Sequence, residues 1–246
     1  MQTIYHQFLK QKSQNKKSFA VLIDPDSTNE ATLFETIQLC NAAAVDFIFV
    51  GGSLITNGYF AQCIDTIKAH SNIQCIIFPG NHMQVHPQAD ALLLLSLISG
   101  RNADLLIGNH VQSSFLLKQS QLELIPTGYM LIDGGRSTSV SYMSNTQPIP
   151  SDKNTIASST ALAGVMLGLK LIYLDAGSGA LHPVPVPLIS AVRDAVGVPL
   201  IVGGGIKDSA MAVSACAAGA DLIVIGNALE KDPSLISIIA KAVHQL

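Results

Sequence analysis

The chain has 246 residues, 48% of them hydrophobic and 13% charged, which supplies a large core and leaves too little charge for a disordered chain. The net charge is −3 and the one basic cluster is Lys10, Lys12, Lys16 and Lys17, read as a solvated helix face and loop, so no nucleic acid partner is expected. Cys40, Cys63, Cys75 and Cys216 lack metal-ligand spacing, the N-terminus lacks a signal-peptide core, and no apolar run approaches the ~18 residues of a spanning helix; a cytoplasmic protein with at most peripheral membrane contact is expected.

Taken in order, short β-branched or aliphatic runs alternate with segments of helical length, the pattern of repeated βα units. Strands are predicted at Phe19–Ile23, Asp46–Val50, Ile73–Phe78, Ala91–Leu95, Thr127–Ile132, Leu171–Leu174, Leu200–Val202 and Leu222–Ile225. Helices are predicted at Asn29–Ala43, Tyr59–His70, Asp104–Lys118, Asn154–Leu167, Pro187–Val196, Ser209–Ala218 and Pro233–Gln245. The third interval, Gly80–Asp90, is too short and too rich in Pro and His for a crossover helix, so a loop or single turn is expected there. Arg136–Asp152 reads as a long loop after the fifth strand. Eight strands and a length near the roughly 250 residues of a TIM barrel predict a single (β/α)8 TIM-barrel domain over 1–246. A doubly wound open sheet would ordinarily place a G-x-G-x-x-G fingerprint after the first strand, and none is present.

Polar and glycine residues punctuate the strand ends, which form the catalytic face of a barrel. Gly203, Gly204 and Gly205 follow the seventh strand, and Gly226 and Asn227 follow the eighth; glycines there let backbone N–H groups approach a phosphate. Tight turns alone would explain any one of these glycines, but two such loops after consecutive late strands point to the phosphate site common in barrels. Asp24 leaves an apolar strand and is fixed by Pro25, a suitable oxygen ligand for Mg²⁺, with Ser53 available nearby. N-capping is the competing role for Asp26 and Ser53. Asp175 precedes Ala176-Gly177-Ser178-Gly179 and would orient or deprotonate a hydroxyl, its alternative being a hydrogen bond to the turn backbone.

Together, Leu22-Ile23-Asp24-Pro25-Asp26, Phe49-Val50-Gly51-Gly52-Ser53, Tyr173-Leu174-Asp175-Ala176-Gly177-Ser178-Gly179, Val202-Gly203-Gly204-Gly205-Ile206 and Ile225-Gly226-Asn227 resemble the geranylgeranylglyceryl and heptaprenylglyceryl phosphate synthase family. Leu95–Asn102 and Leu106–His110 resemble its second group, which includes bacterial members. The resemblance implies transfer of a geranylgeranyl or similar prenyl group from its diphosphate to the C3 hydroxyl of sn-glycerol 1-phosphate, giving an ether-lipid precursor. It implies Mg²⁺ on Asp24 and Ser53. Tyr173, Leu174, Asp175, Ala176, Gly177, Ser178, Gly179, Gly203, Gly204, Gly205, Gly226 and Asn227 would then form the glycerol 1-phosphate site, with Asp175 and Asp24 as the catalytic pair. A homo-oligomer, dimer or hexamer, is also implied. Asp175 departs from the family's usual Glu, and Leu22 stands where many members carry Lys.

A prenyl tail needs an apolar groove, for which Leu54, Ile55, Phe78, Tyr129 and Val184 are candidates. Two other readings compete. A phosphate-binding barrel isomerase or lyase of amino-acid or cofactor biosynthesis would use the same glycine loops, although a Schiff-base aldolase would need a rim lysine and Lys170 lies at the wrong end of its strand. A non-catalytic phosphate- or lipid-binding barrel would have no use for Asp24.

Overall fold

The computed structural model describes residues 3–246. Eight parallel strands close into a barrel in sequence order: β1 (Ser18–Ile23), β2 (Phe47–Val50), β3 (Gln74–Ile77), β4 (Ala91–Leu97), β5 (Glu123–Leu131), β6 (Leu171–Asp175), β7 (Leu200–Gly203) and β8 (Leu222–Ile225), with β8 pairing back onto β1. The strands are almost unbroken Val, Ile, Leu and Phe because both of their faces are covered. Alternation sends Phe47, Phe49, Tyr129, Tyr173, Ile201 and Val224 into the barrel interior. Ile48, Val50, Ile172, Leu174 and Ile223 pack outward against the helices.

Helices α1 (Ile4–Ser13), α2 (Glu30–Ala42), α3 (Phe60–His70), α4 (Asn109–Ser120), α5 (Ser139–Ser144), α6 (Asn154–Met166), α7 (Val186–Ala195), α8 (Ser209–Ala217), α9 (Asn227–Lys231) and α10 (Leu235–His244) complete the chain. None of them is long and apolar enough to cross a membrane. The third crossover is the expected loop, without a helix between Ile77 and Ala91. Three helices were not legible. The loop after β5 contains α5, capped reciprocally by Thr138 and Ser141, whose side chains each bond the other's backbone N–H. A short α9 follows β8, and α1 precedes β1. The helix predicted at Asp104–Lys118 opens with a π-helical turn over Asp104–Gly108 before α4 begins. β5 starts at Glu123, upstream of the predicted Thr127, because Pro126 is tolerated where only β4 is paired; pairing with β6 begins at Thr127.

The N-terminal end of the barrel is closed by α1. Ile4 and Phe8 enter the interior cluster, Phe8 edge-on to Phe47 with ring centroids 5.0 Å apart. Their burial contributes roughly 1.5–3 kcal/mol each. The Glu123 carboxylate accepts the first α1 amides, from Ile4 at 2.6 Å and Tyr5 at 3.0 Å. Other carboxylates staple this end in the same way. Asp46 accepts from the Phe19 amide at 2.9 Å and contacts His244 Nε2 at 2.8 Å. Asp90 accepts from the Cys75 amide at 2.7 Å and from Lys68 Nζ at 2.8 Å. Asp221 accepts from the Leu200 amide at 2.8 Å and from the Arg193 guanidinium.

Candidate active site

At the opposite rim, Asp24 caps the 3-10 turn Pro25–Ser27, its Oδ1 accepting from the Asp26 amide at 3.0 Å, while its second oxygen has no donor among the described residues. Burial raises the Asp24 carboxyl above the ordinary carboxylate range, against the opposing pull of that amide. Asp26 is structural: it accepts from the Thr56 amide and hydroxyl, both at 2.8 Å, and from the Asn57 amide at 3.2 Å, tying the first rim loop to the second. Gly52 is required beside Asp24, since a Cβ there would lie 2.7 Å from Oδ2. Gly80 is equally confined, because a Cβ on it would drive into the Gly52 carbonyl. Ser53 lines the same cavity as Asp24. Glu230, on α9, stands at that cavity's open edge; partial loss of water and then the charge of Asp24 raise its carboxyl.

Across the rim, Asp175 is 6% exposed at the end of β6. Its Oδ1 accepts from the Gly177 amide at 2.7 Å and its Oδ2 from the Tyr129 hydroxyl at 2.5 Å. Burial raises its carboxyl; the bonds from Tyr129 and Gly177 oppose that rise without cancelling it. The turn-stabilising role weighed for Asp175 is therefore real, and the carboxylate also faces the cavity. Phe78 stacks on Tyr173 at 5.1 Å, and Tyr129 meets both rings edge-on at 5.7 and 5.5 Å. This aromatic group floors the cavity between the two carboxylates.

Between Asp175 and Asp24 lie the glycine loops. Gly204 and Gly205 adopt left-handed backbone at φ +77° and +71°. The amides of Gly204, Gly205 and Asn227 donate to no acceptor among the described residues, which leaves them for an anion. Asn227 Oδ1 accepts from Ser178 Oγ at 2.8 Å and from the Gly179 amide at 3.1 Å, joining the loops after β6 and β8. Thus Asp24, Ser53, Tyr173, Asp175, Ser178, Gly179, Gly204, Gly205, Gly226 and Asn227 all line one cavity of about 610 Å³.

Four of the proposed residues are placed differently. The side chains of Leu174 and Ala176 pack outward into the helix layer, as strand alternation requires. The Gly177 amide is engaged by Asp175. Gly203 serves packing, because the Tyr173 hydroxyl lies 2.6 Å from where its Cβ would stand.

A second cavity of about 360 Å³ adjoins the first, sharing Ser53, Tyr129 and Val140 with it. It is bounded by Leu92–Leu95 of β4, by Leu105 and Leu117, and by Pro79–His82 of the loop without a helix. The missing third crossover helix is what leaves the flank of β4 open. Of the anticipated groove residues, Tyr129 lies between the cavities, and Leu54 and Phe78 line the first. Ile55 lines neither, and Val184 is buried against the outer core. The sequence marks the leucines of β4 only as a strand and gives Glu230 and Arg136 no role at the site; the pairing of Tyr129 with Tyr173 on adjacent strands is the signal that would raise Tyr129 from a groove candidate to the floor of the site.

The PcrB family model matches residues 10–243. A geranylgeranylglyceryl phosphate synthase of Chitinophaga pinensis is 54% identical over 241 residues, 98% of this chain and 96% of that protein. One of Pyrococcus horikoshii is 38% identical, covering 93% and 89% respectively. The crystal structure of (S)-3-O-geranylgeranylglyceryl phosphate synthase from Thermoplasma acidophilum, in complex with substrate sn-glycerol-1-phosphate, superposes with a TM-score of 0.93 at 31% identity over 100% of both chains. The resemblance first read from five short motifs therefore extends through the whole fold, and the chain belongs to the PcrB family.

Proposed function

We propose that the protein is a prenyltransferase that joins a geranylgeranyl or similar prenyl group to the C3 hydroxyl of sn-glycerol 1-phosphate and releases diphosphate. The observation that carries this reading is the pair of contiguous cavities, one polar with free amides and carboxylates, the other leucine-lined, meeting at Tyr129. A phosphomonoester fits the first and a hydrocarbon tail the second, which sets the reacting carbon at their junction. Relatives named for this reaction span nearly the whole chain.

Asp24 offers an unshared carboxylate oxygen and Ser53 a hydroxyl, both hard donors suited to Mg²⁺ together with diphosphate oxygens. Such an ion, when bound, would neutralise charge on the departing diphosphate. The remaining work falls to this chain's residues. The amides of Gly204, Gly205 and Asn227 hold the phosphate of glycerol 1-phosphate, which orients the C3 hydroxyl toward Asp175. As the allylic carbon–oxygen bond to diphosphate breaks, the faces of Phe78, Tyr129 and Tyr173 stabilise positive charge on that carbon. The hydroxyl oxygen bonds to the carbon and its proton passes to Asp175, which Tyr129 holds in place. A Schiff-base lyase would want a strand-borne lysine, and none of the eight strands carries one: Lys170 sits over the Tyr5 ring at the closed end, 5.4 Å from its centroid, while Lys207, which donates to the Leu181 carbonyl at 2.9 Å, and Lys231 line the cavity from the loop after β7 and from α9.

The same reading makes the protein cytoplasmic, with its four buried thiols reduced, and oligomeric through its helices, a role supported by Ile107, Val111 and Phe115, which are exposed at helical spacing. Purified protein incubated with Mg²⁺, glycerol 1-phosphate and prenyl diphosphates of several lengths should yield a prenyl ether phosphate. Absence of ether with every donor rejects the assignment.

A further inference from the structure

The chain has three arginines, and two are engaged within the fold. Arg101 donates to the carbonyls of Ile98 at 3.0 Å and Gly100 at 2.8 Å. Arg193 donates to Gly219 at 2.8 Å and Val198 at 3.1 Å, and pairs with Asp221. Arg136, which follows Gly134-Gly135 after β5, has neither a hydrogen-bond acceptor nor an ion-pair partner among the described residues. The residue is exposed, yet its guanidinium is laid against the rim of the site. It lies along the loop after β6, where a Cβ on Gly179 would come 2.9 Å from Nη2, and Arg136 lines the main cavity.

An unpaired guanidinium resting on the loop after β6, in the cavity that the free amides of Gly204 and Gly205 also line, supplies a charged fork beside backbone donors, the complement of a phosphate dianion. Resting on the proposed reaction, we propose that Arg136 is a substrate-positioning residue that clamps the phosphate of glycerol 1-phosphate from the β5 side. Its contact with the loop after β6, with Asp24 and Ser53 on the loops after β1 and β2, assigns it to the phosphomonoester in preference to the diphosphate.

The test compares wild type with Arg136→Gln and Arg136→Lys. Loss of a charge-assisted contact should raise KM for glycerol 1-phosphate about 10- to 100-fold in Arg136→Gln, leaving kcat at saturation and KM for the prenyl diphosphate near wild type. Arg136→Lys should fall between the two, because it keeps the charge and loses the fork. Thermal midpoints should not move, since no protein acceptor is lost. Titration with inorganic phosphate in the absence of donor, followed by ³¹P NMR, should show weaker binding in Arg136→Gln. An unchanged KM for glycerol 1-phosphate, or a rise confined to the prenyl diphosphate, overturns the proposal while the reaction stands. If wild type forms no ether but Arg136→Gln still binds inorganic phosphate more weakly, the reaction fails and the phosphate-binding role of Arg136 is supported.

Discussion

The two ends of the barrel use carboxylates in opposite ways. At the closed end, Asp90 and Asp221 each accept a strand-start amide and a Lys or Arg cation, and Asp46 accepts such an amide beside His244. At the open end, Asp24 and Asp175 are partly or wholly buried with no cation paired to them among the described residues, and burial holds both above the ordinary carboxylate range. Local pairing secures the first set. The second set is held ready for positive charge that a ligand must bring, so the same residue type serves stability below and chemistry above.

Substitutions at each end sharpen this contrast. Asp24→Ala should have the largest effect on turnover, lowering it by at least about a thousandfold if the carboxylate holds the metal, with the thermal midpoint preserved or raised because a poorly solvated charge is gone. Retained turnover would remove its metal role. Asp175→Asn should lower kcat by about 10²- to 10⁴-fold, the range of a lost general base, measured at saturating concentrations of both substrates. Asp221→Ala should do the reverse, costing roughly 3 kcal/mol in denaturant unfolding by stranding Arg193 and the Leu200 amide, with activity per folded molecule kept.

The smallest expected effect is a shift in pH. Asp175 must be ionised to accept a proton, and its raised pKa means that kcat/KM climbs with pH through a point above the ordinary carboxylate range and then levels. Tyr129 donates to the ionised form and so lowers that point; Tyr129→Phe should move the acid limb to higher pH. A limb that stays put or moves down would show that Asp175 is not the group being titrated.

The barrel was legible because its strands are buried on both faces and read as short apolar runs, most of them closed by glycine or aspartate, and because Gly80–Asp90 is too short and too rich in Pro and His for a crossover helix. What escaped depends on contacts distant in sequence. Asp26 looked like a cap but reaches Thr56 and Asn57 on another loop. Leu92–Leu95 read only as part of a strand, yet Leu94 and Leu95 are partly buried and border a cavity, because whether β4 is covered depends on a helix that is missing elsewhere. Short α5 and α9 carry too few residues for a periodic signal, and α1 is polar except where Ile4 and Phe8 plug the barrel. Arg136 could not be told from any loop arginine until its want of an acceptor was visible.

The contact between Gly52 and Gly80 joins backbone to backbone with no side chain as a spacer. One of these glycines flanks Asp24 and the other walls the leucine-lined cavity. A single methyl group on Gly80 would act as a wedge against the Gly52 carbonyl, prying the anionic corner away from the hydrocarbon channel, and one on Gly52 would push the Asp24 carboxylate itself. The seam between the compartments thus resists any added side chain, although no atom in it carries charge or performs chemistry.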